Sequence, residues 1–443
     1  MIYLNKLYKL DLLKILIIIS YIVIWLSIST NFDDLKLPDN LEAKKINIYV
    51  NFFRQFFLCT FFIINILLFL NIIYKKNNFK YNILFLFFFI YILSQIPGLI
   101  LTENSFKNIS YLISSCSLLI LINLINNYFN DKEKIIFILI SLFLLLLVYC
   151  STFIPNLIFF LKGQINLYGG YQEGSEVFLG KHSPRSSGTS RSALIISLYL
   201  MIISSLYDLF KNYKFLLNIL LIILFTSIIT MQSRTNIFLL SIVIFYYYHF
   251  QNNIKTKMLI KYSLTFILTP ILLSLIIFSI YGYTKLKTHN DIKKYEKYQI
   301  LSHSINKPLR KIGKKNFTSG RLQDWTNLFQ STKNKILLGY GAQGDRFLIN
   351  QSASNGLLYV FSSSGLMGIL FYSLFSITIF IKIIKNLLLK NNYKLNPLKF
   401  FNSIIIFIIL LRSMLESSYA VFGIDQIVLF TSLIFINKSR IKI

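Results

Sequence analysis

Four arginines stand beside glycine or serine in polar segments or at their junctions with apolar runs, where a guanidinium could bind a phosphate: Arg185, Arg191, Arg234 and Arg321. The sequence around Arg321 predicts a short amphipathic helix, with Ser319 as its N-cap and Trp325 on its apolar face. Unpaired N–H groups and the helix dipole favour an anion at such a helix start, and a guanidinium there can grip two phosphate oxygens. An ion pair between Arg321 and Asp324 on the same helix face is an equally supported interpretation.

The other three arginines occupy similar positions. Arg185 and Arg191 flank Gly188 where a polar segment enters the apolar run at 191–210, and Arg234 lies in a tight turn between two apolar runs. A charged side chain at the mouth of a membrane helix normally faces the protein interior or a wet cavity, although Arg191 could also be a snorkelling anchor. Lysine would serve if only bulk charge mattered. We therefore expect the four arginines to line one pocket.

The elements that must position these arginines are membrane helices. Of the 443 residues, 55% are hydrophobic and 14% are charged, a balance typical of a polytopic membrane protein. The formal net charge of +29 does not indicate nucleic acid binding, because the lysines are scattered through short connectors. About twelve segments are long enough to cross roughly 30 Å of hydrocarbon. They lie near 12–30, 50–73, 82–102, 109–127, 135–153, 191–210, 215–232, 236–250, 259–283, 353–381, 400–416 and 421–437. The predicted fold class is an all-α integral membrane protein.

The distribution of lysine orients the chain. With both termini cytoplasmic, the short lysine-rich connectors fall inside, and three longer stretches at 31–49, 154–190 and 284–352 fall outside. The last stretch is strongly basic, which suits an anionic glycan, lipid headgroups or a diphosphate, but also an ordinary solvated face. We expect it to pack over an outer cavity. The predicted regions are N-terminal helices at 1–153, an outer loop at 154–190, central helices at 191–283, a large outer loop at 284–352 and C-terminal helices at 353–443.

The sequence contains no Walker motif, no HExxH motif and no metal-spaced set among its four histidines and three cysteines. We therefore predict neither a metal nor a cofactor. The predicted cytoplasmic connectors are too short to form a nucleotide site. Any chemistry would then take place outside, on a substrate that is already activated and attached to a lipid.

The order of the motifs resembles the bacterial O-antigen ligase and O-antigen polymerase family, which contains multi-span, metal-independent glycosyltransferases of the lipid-linked, GT-C-like type. The resemblance spans roughly residues 180–430. It rests on Arg185-x-x-Gly188, Ser233-Arg234, Ser319-Gly-Arg321 with Trp325, Gly339-x-Gly341, Asn355, Gly365 and Gly368. Where the family places a histidine before the asparagine, this chain has Ser354. In ligases that histidine is taken to help activate the acceptor hydroxyl, and polymerases often lack it, so Ser354 favours a polymerase.

The resemblance implies polymerisation of undecaprenyl-diphosphate-linked oligosaccharide repeat units at the periplasmic face of the bacterial inner membrane. Arginines would hold the diphosphate and stabilise its charge as it leaves, and an acidic or imidazole group would take the acceptor proton. We choose Glu416 as this base, because an ionisable residue at the outer end of a span is costly unless used, although a plain ion pair with Arg412 is the structural alternative. Other candidates are Asp345, Glu173, Glu176 and His182. The predicted catalytic residues are Arg321, Arg191 and Glu416, and the predicted substrate contacts are Arg185, Arg234, Gly188, Trp325, Ser354 and Asn355.

The expected partners are the carrier-linked glycan, membrane lipids, a flippase and a chain-length regulator, with no nucleic acid. Three alternatives stay open. A ligase would transfer finished glycan to lipid A core. A flippase or other transporter would bury charges in mid-membrane and keep its outer loops short, and a non-catalytic scaffold or co-polymerase would have few spans.

Overall fold

The computed structural model of the protein describes residues 11–28, 41–75, 83–101, 106–161, 189–206, 214–231, 233–251, 267–283, 321–349, 353, 355–388 and 396–436. These residues form α-helices, and no strand occurs among them. Helices α1 to α5 are Leu12–Leu26, Leu41–Lys75, Ile83–Leu93, Ile96–Leu101 and Phe106–Tyr128. Helices α6 to α10 are Ile135–Leu161, Thr189–Leu206, Lys214–Thr230, Arg234–Gln251 and Ile267–Tyr283. Helices α11 to α15 are Arg321–Thr332, Gly344–Ile349, Gly356–Leu388, Pro397–Ser413 and Ile424–Ile436, and short 3-10 turns cover Lys333–Lys335 and Ser418–Ala420.

Five helical stretches in the described part of the chain are long enough and apolar enough to cross a membrane. They are Phe52–Asn71, Ile83–Ile100, Asn108–Tyr128, Ile135–Ile154 and Gly356–Leu388. Each overlaps one of the twelve predicted segments, and the other seven predicted segments overlap shorter helices. The all-α class is therefore confirmed for the described residues, while the number of membrane crossings stays a prediction.

Helix α2 begins well before its apolar part. The stretch at 31–49 was predicted to be an outer loop, yet the helix already begins at Leu41. The residues from Leu41 to Lys45 include Leu, Glu, Ala and Lys, all strong helix formers, so the helix extends beyond the run that hydropathy marks.

The chain divides into two compact units. The first comprises Met1–Ser29, Ile48–Ser141 and Asn316–Ile443, and the second comprises Thr30–Asn47 and Leu142–Lys315. In the first unit, α3 packs on α13 and α14 packs on both α13 and α15. An aromatic core joins them, with ring centroids of Phe88 lying 4.7 Å from Phe375 and 4.9 Å from Phe430. In the second unit, α7 packs against α8 and α9.

Two segments that hydropathy predicts as single helices are interrupted. The segment 82–102 breaks at residues 94–95, because Pro97 has no N–H for the Leu93 carbonyl and its ring would collide with that oxygen. Helix α13 is kinked at Gly365, whose φ of 61° and ψ of −154° are not helical. Both interruptions lie in the first unit, beside the candidate site.

Candidate functional site

The glycine-rich connection that follows α11 is fixed to the kink of α13 by backbone hydrogen bonds. The N–H groups of Tyr340 and Gly341 donate to the carbonyls of Ser362 and Ser363, each at 2.8 Å, and the N–H of Leu366 donates to the Ile336 carbonyl at 2.9 Å. These bonds satisfy backbone groups that the kink removes from the helical pattern. In a membrane protein, non-helical backbone is tolerated where protein buries it in this way.

Glycine makes this contact sterically possible. A Cβ on Gly339 would lie 2.5 Å from the Ser364 nitrogen, and one on Gly98 of α4 would lie 2.2 Å from the Gly341 nitrogen. Gly339 and Gly341 also have positive φ angles of 65° and 81°. Backbone therefore packs directly on backbone where α4, the glycine-rich connection and α13 meet.

The connection leads into α12, which begins at Gly344 and carries a buried carboxylate. Asp345 is 1% exposed, and its Oδ2 accepts a hydrogen bond from the Ala353 N–H at 2.6 Å. Burial raises the pKa of the Asp345 carboxyl above its ordinary value, and the Ala353 hydrogen bond offsets part of that rise. The N–H of Gln343 donates to the Tyr359 hydroxyl at 3.2 Å, which ties the start of α12 to α13.

Asn355 joins the start of α13 to the end of α14. Its Oδ1 accepts hydrogen bonds from the N–H groups of Leu357 at 2.8 Å and Leu358 at 3.2 Å, so it acts as the N-cap of α13. Its Nδ2 donates to the Met414 carbonyl at 2.9 Å. A residue predicted to contact substrate is thus also a structural cap, and its bonded partner Met414 lies two residues before Glu416 in the chain.

The turn after α14 contains an arginine shared by two carboxylates. Arg412 is 2% exposed and forms ion pairs with Glu416 and, at 3.4 Å, with Asp425 of α15. Asp425 is fully buried and also accepts a 2.7 Å hydrogen bond from the Ser418 hydroxyl. Glu416 is 28% exposed, so it is the carboxylate of this cluster that solvent reaches. The structural alternative foreseen for Glu416, an ion pair with Arg412, is present, and such a pair does not prevent a carboxylate from accepting a proton.

A layer of tyrosines lies against this cluster. The rings of Tyr372 and Tyr419 stack with centroids 5.1 Å apart, and the Tyr419 hydroxyl is hydrogen-bonded to Ser376 at 2.7 Å. The Tyr91 hydroxyl donates to the Ala420 carbonyl at 2.8 Å. These contacts hold the 3-10 turn at Ser418–Ala420, and through it the ends of α14 and α15, in a fixed position.

Two of the predicted arginines lie in the second unit, at the starts of neighbouring helices. Arg191 is in the first turn of α7 and is partly buried, and Arg234 is the first residue of α9 and is exposed. The Asn236 amide donates to the Ser190 hydroxyl at 3.1 Å, which joins the two helix starts. Two guanidinium groups therefore lie near two adjacent helix N-termini, where an anion is favoured.

The remaining predicted residues are placed as follows. Arg321 opens α11, and Trp325 is partly buried in the same helix, as the spacing predicts. The side chain of Arg321 lies outside what the structure describes, as do Arg185, Gly188 and Ser354 and the alternative bases Glu173, Glu176 and His182. That the four arginines line one pocket stays a prediction.

Asp425 is the residue of this cluster that sequence reasoning missed. It lies in an apolar run predicted to span the membrane, where an ionisable residue indicates either a functional role or an ion pair with another charged side chain. Among the described residues, no group of three or more His, Cys, Asp or Glu side chains could hold a metal ion.

In comparisons with protein families, characterised proteins and solved structures, this chain matches none of them.

Proposed function

We propose that this protein is a membrane glycosyltransferase that polymerises undecaprenyl-diphosphate-linked oligosaccharide repeat units at the outer face of the bacterial inner membrane. The arginines would hold the diphosphate, and Glu416 would act as the base. The observation that carries the proposal is an assembly within the first unit. The Gly339–Gly341 connection, Asn355, Gly365 and Glu416, which come from separate parts of the sequence, are joined there by hydrogen bonds or by a short turn.

The proposed reaction balances without a metal. The acceptor hydroxyl oxygen attacks the anomeric carbon of the donor sugar, and the bond between that carbon and the diphosphate oxygen breaks. The diphosphate leaves on its lipid with the bonding electrons, and arginine guanidinium groups compensate its charge. The hydroxyl proton passes to Glu416, whose carboxylate is accessible and is oriented by Arg412.

Asp425, the buried carboxylate paired with Arg412, has a positioning role in the proposal. Asp425 is inaccessible and takes part of the charge of Arg412, so Arg412 is not neutralised by Glu416 alone. Arg412 and Asp425 are therefore positioning residues, and Glu416 is the member of the cluster that would meet a substrate.

The proposal is tested by deleting the gene in its native cell and analysing the carrier-linked glycan. We expect single repeat units on the carrier lipid, and lipid A core that still accepts one unit. Long polymer left on the carrier and missing from core would instead indicate a ligase. Repeat units retained on the cytoplasmic face would indicate a transporter.

Glu416→Gln tests the base in the complemented deletion strain. We expect polymerisation to fall by about 100-fold or more at normal protein level. Asp131→Asn is the matched control, because Asp131 is also a partly exposed carboxylate (25%) in an ion pair, with Lys134, but on the predicted cytoplasmic side. If Glu416→Gln polymerises as well as the Asp131→Asn control, Glu416 is not the base. Ser354→Ala should leave chain growth intact, because a serine without a partner base stays protonated at neutral pH.

A further inference from the structure

An open pocket lies in the first unit, and none of its lining residues belongs to the ion pairs of the Arg412 cluster. Side chains from α2, α5 and the turn before α15 line it, among them Arg54, Gln55, Ser110, Tyr111, Ser114 and Phe422. No acidic side chain occurs among its described lining residues.

Arg54 is partly buried in this pocket. Within the described part of the chain it has no hydrogen bond or ion pair. A guanidinium offers five N–H donors in a fixed fork, and leaving a charge partly buried without a counter-charge is costly. The polar surroundings of Arg54 therefore lack the one component that would balance its charge, an anion.

The rest of α2 shows that Arg54 points into the bundle. At 100° per residue, Arg54, Gln55 and Leu58 share one face of the helix, and they line the pocket. The opposite face carries Phe52, Phe53, Phe56 and Phe57, which are 48% to 62% exposed, as side chains that meet lipid would be. A charged residue on a membrane helix faces the interior or a wet cavity when it serves a site.

The walls of the pocket are fixed. The Ser114 hydroxyl donates to the Ser110 carbonyl at 2.8 Å, and the next residue, Ser115, donates to Gln426 of α15 at 3.0 Å. The hydroxyl hydrogens of Ser114 and Ser27 are engaged by backbone carbonyls, whereas the Arg54 guanidinium and the Gln55 amide offer N–H donors to a ligand. Phe422 adds an apolar wall. A fork of donors next to an apolar surface fits a phosphate group attached to a hydrocarbon or sugar.

We propose that this pocket is a phosphate-binding site in which Arg54 makes a bidentate contact to the phosphate oxygens and Gln55 donates a further hydrogen bond. The proposal rests on the pocket and on Arg54, and it does not depend on the glycosyltransferase activity. The phosphate can come from a lipid or from a soluble compound, and both sources share this chemistry.

The test measures ligand-dependent thermal unfolding of the purified full chain in a neutral detergent. The probes are inorganic pyrophosphate and dodecyl phosphate, with dodecanol as the uncharged control. A ligand that binds the folded state raises the unfolding temperature in a saturable manner, which gives an apparent Kd. We expect both phosphate probes to bind and dodecanol to have no effect. Tighter binding of dodecyl phosphate assigns the site to a lipid, and tighter binding of pyrophosphate assigns it to a soluble ligand.

Variants decide whether Arg54 carries this binding. Arg54→Gln should weaken both phosphate probes by about tenfold or more, and Arg54→Lys should lie between it and the native chain because the charge stays and the fork is lost. Lys333→Gln removes an exposed positive charge and should leave the Kd unchanged. If Arg54→Gln does not fold, the test is whether Arg54→Lys binds the two phosphate probes more weakly than the native chain does. The proposal is overturned if neither phosphate saturates, if the Arg54 variants bind like the native chain, or if Lys333→Gln weakens binding equally.

Discussion

Replacing Arg412 by methionine should destabilise the protein more than any other single change in the Arg412 cluster. Methionine has a similar volume and no charge, so most of the space stays filled while the counter-charge of Asp425 is lost. Asp425 is fully buried, and the hydrogen bond from the Ser418 hydroxyl is neutral and cannot balance its charge. Removing one partner of a buried ion pair costs about 3–5 kcal/mol, because an uncompensated charge stays behind.

The companion variants fix the origin of this loss. Asp425→Asn keeps a side-chain oxygen for Ser418 and leaves Arg412 paired with Glu416, so its cost should be smaller, about 1–2 kcal/mol. The double variant Arg412→Met/Asp425→Asn removes both buried charges. It should be more stable than Arg412→Met alone, with a coupling of roughly 1–3 kcal/mol.

Thermal unfolding of the four proteins in one detergent measures this coupling. A loss of 3–5 kcal/mol corresponds to a decrease in Tm of about 6–20 °C for a unit of 150–250 residues. The double variant should recover a measurable part of that decrease. If the two single losses simply add in the double variant, the interaction between Arg412 and Asp425 is not what stabilises the turn.

Three further predictions use the same unfolding measurement. Gly365→Ala should cost several kcal/mol, because φ is 61° there and a Cβ would lie 2.4 Å from the Leu337 backbone. The control Gly423→Ala should be nearly neutral, because a Cβ on Gly423 meets nothing within 4 Å. Equal losses of stability in the two variants would contradict this prediction. Asn355→Ala should lower the free energy of unfolding by about 1–2 kcal/mol, and Asn355→Asp should lower it less, since aspartate keeps the N-cap oxygen. Equal losses in the two variants would rule out the N-cap as the source of stability. The raised pKa of Asp345 means that the folded state binds its proton more tightly than the unfolded state, so native stability rises as pH falls through that pKa. Relative to the native protein, Asp345→Asn should therefore be most stable at neutral pH and should lose this advantage in acid. A stability difference between the two proteins that does not change with pH would contradict this prediction.

The helices follow from the sequence because hydropathy depends on residue types that are close together in the chain. Each predicted apolar segment overlaps a helix, and the spacing of Trp325 and Leu328 correctly predicts α11. Helix α12, which begins at Gly344, is not predicted by the sequence pattern. That helix is six residues long and has no apolar periodicity of its own, so tertiary contacts of Asp345 and Gln343 decide it.

The candidate site is less predictable because its partners are remote in sequence. The Arg412 and Glu416 pair has helical i,i+4 spacing and could be anticipated. The second partner, Asp425, reaches Arg412 because a 3-10 turn reverses the chain between α14 and α15, and hydropathy contains no information about that turn. Arg54 is similar: its charge is visible in an apolar run, but the packing of α2 beside α5 creates its pocket.

Because α13 is kinked, the segment after α11 is positioned more by backbone hydrogen bonds to the kink than by side-chain contacts. Where the helix is interrupted, the carbonyls of Ser362 and Ser363 and the N–H of Leu366 need partners that a bilayer cannot supply. The glycine-rich connection supplies them, and glycines at 339, 341 and 365 allow the chains to approach closely enough. Displacing this connection would leave three buried backbone groups unpaired, at a cost of about 1–3 kcal/mol each. Side-chain changes along the connection can therefore alter its chemistry without moving it, and α11 stays packed against α13.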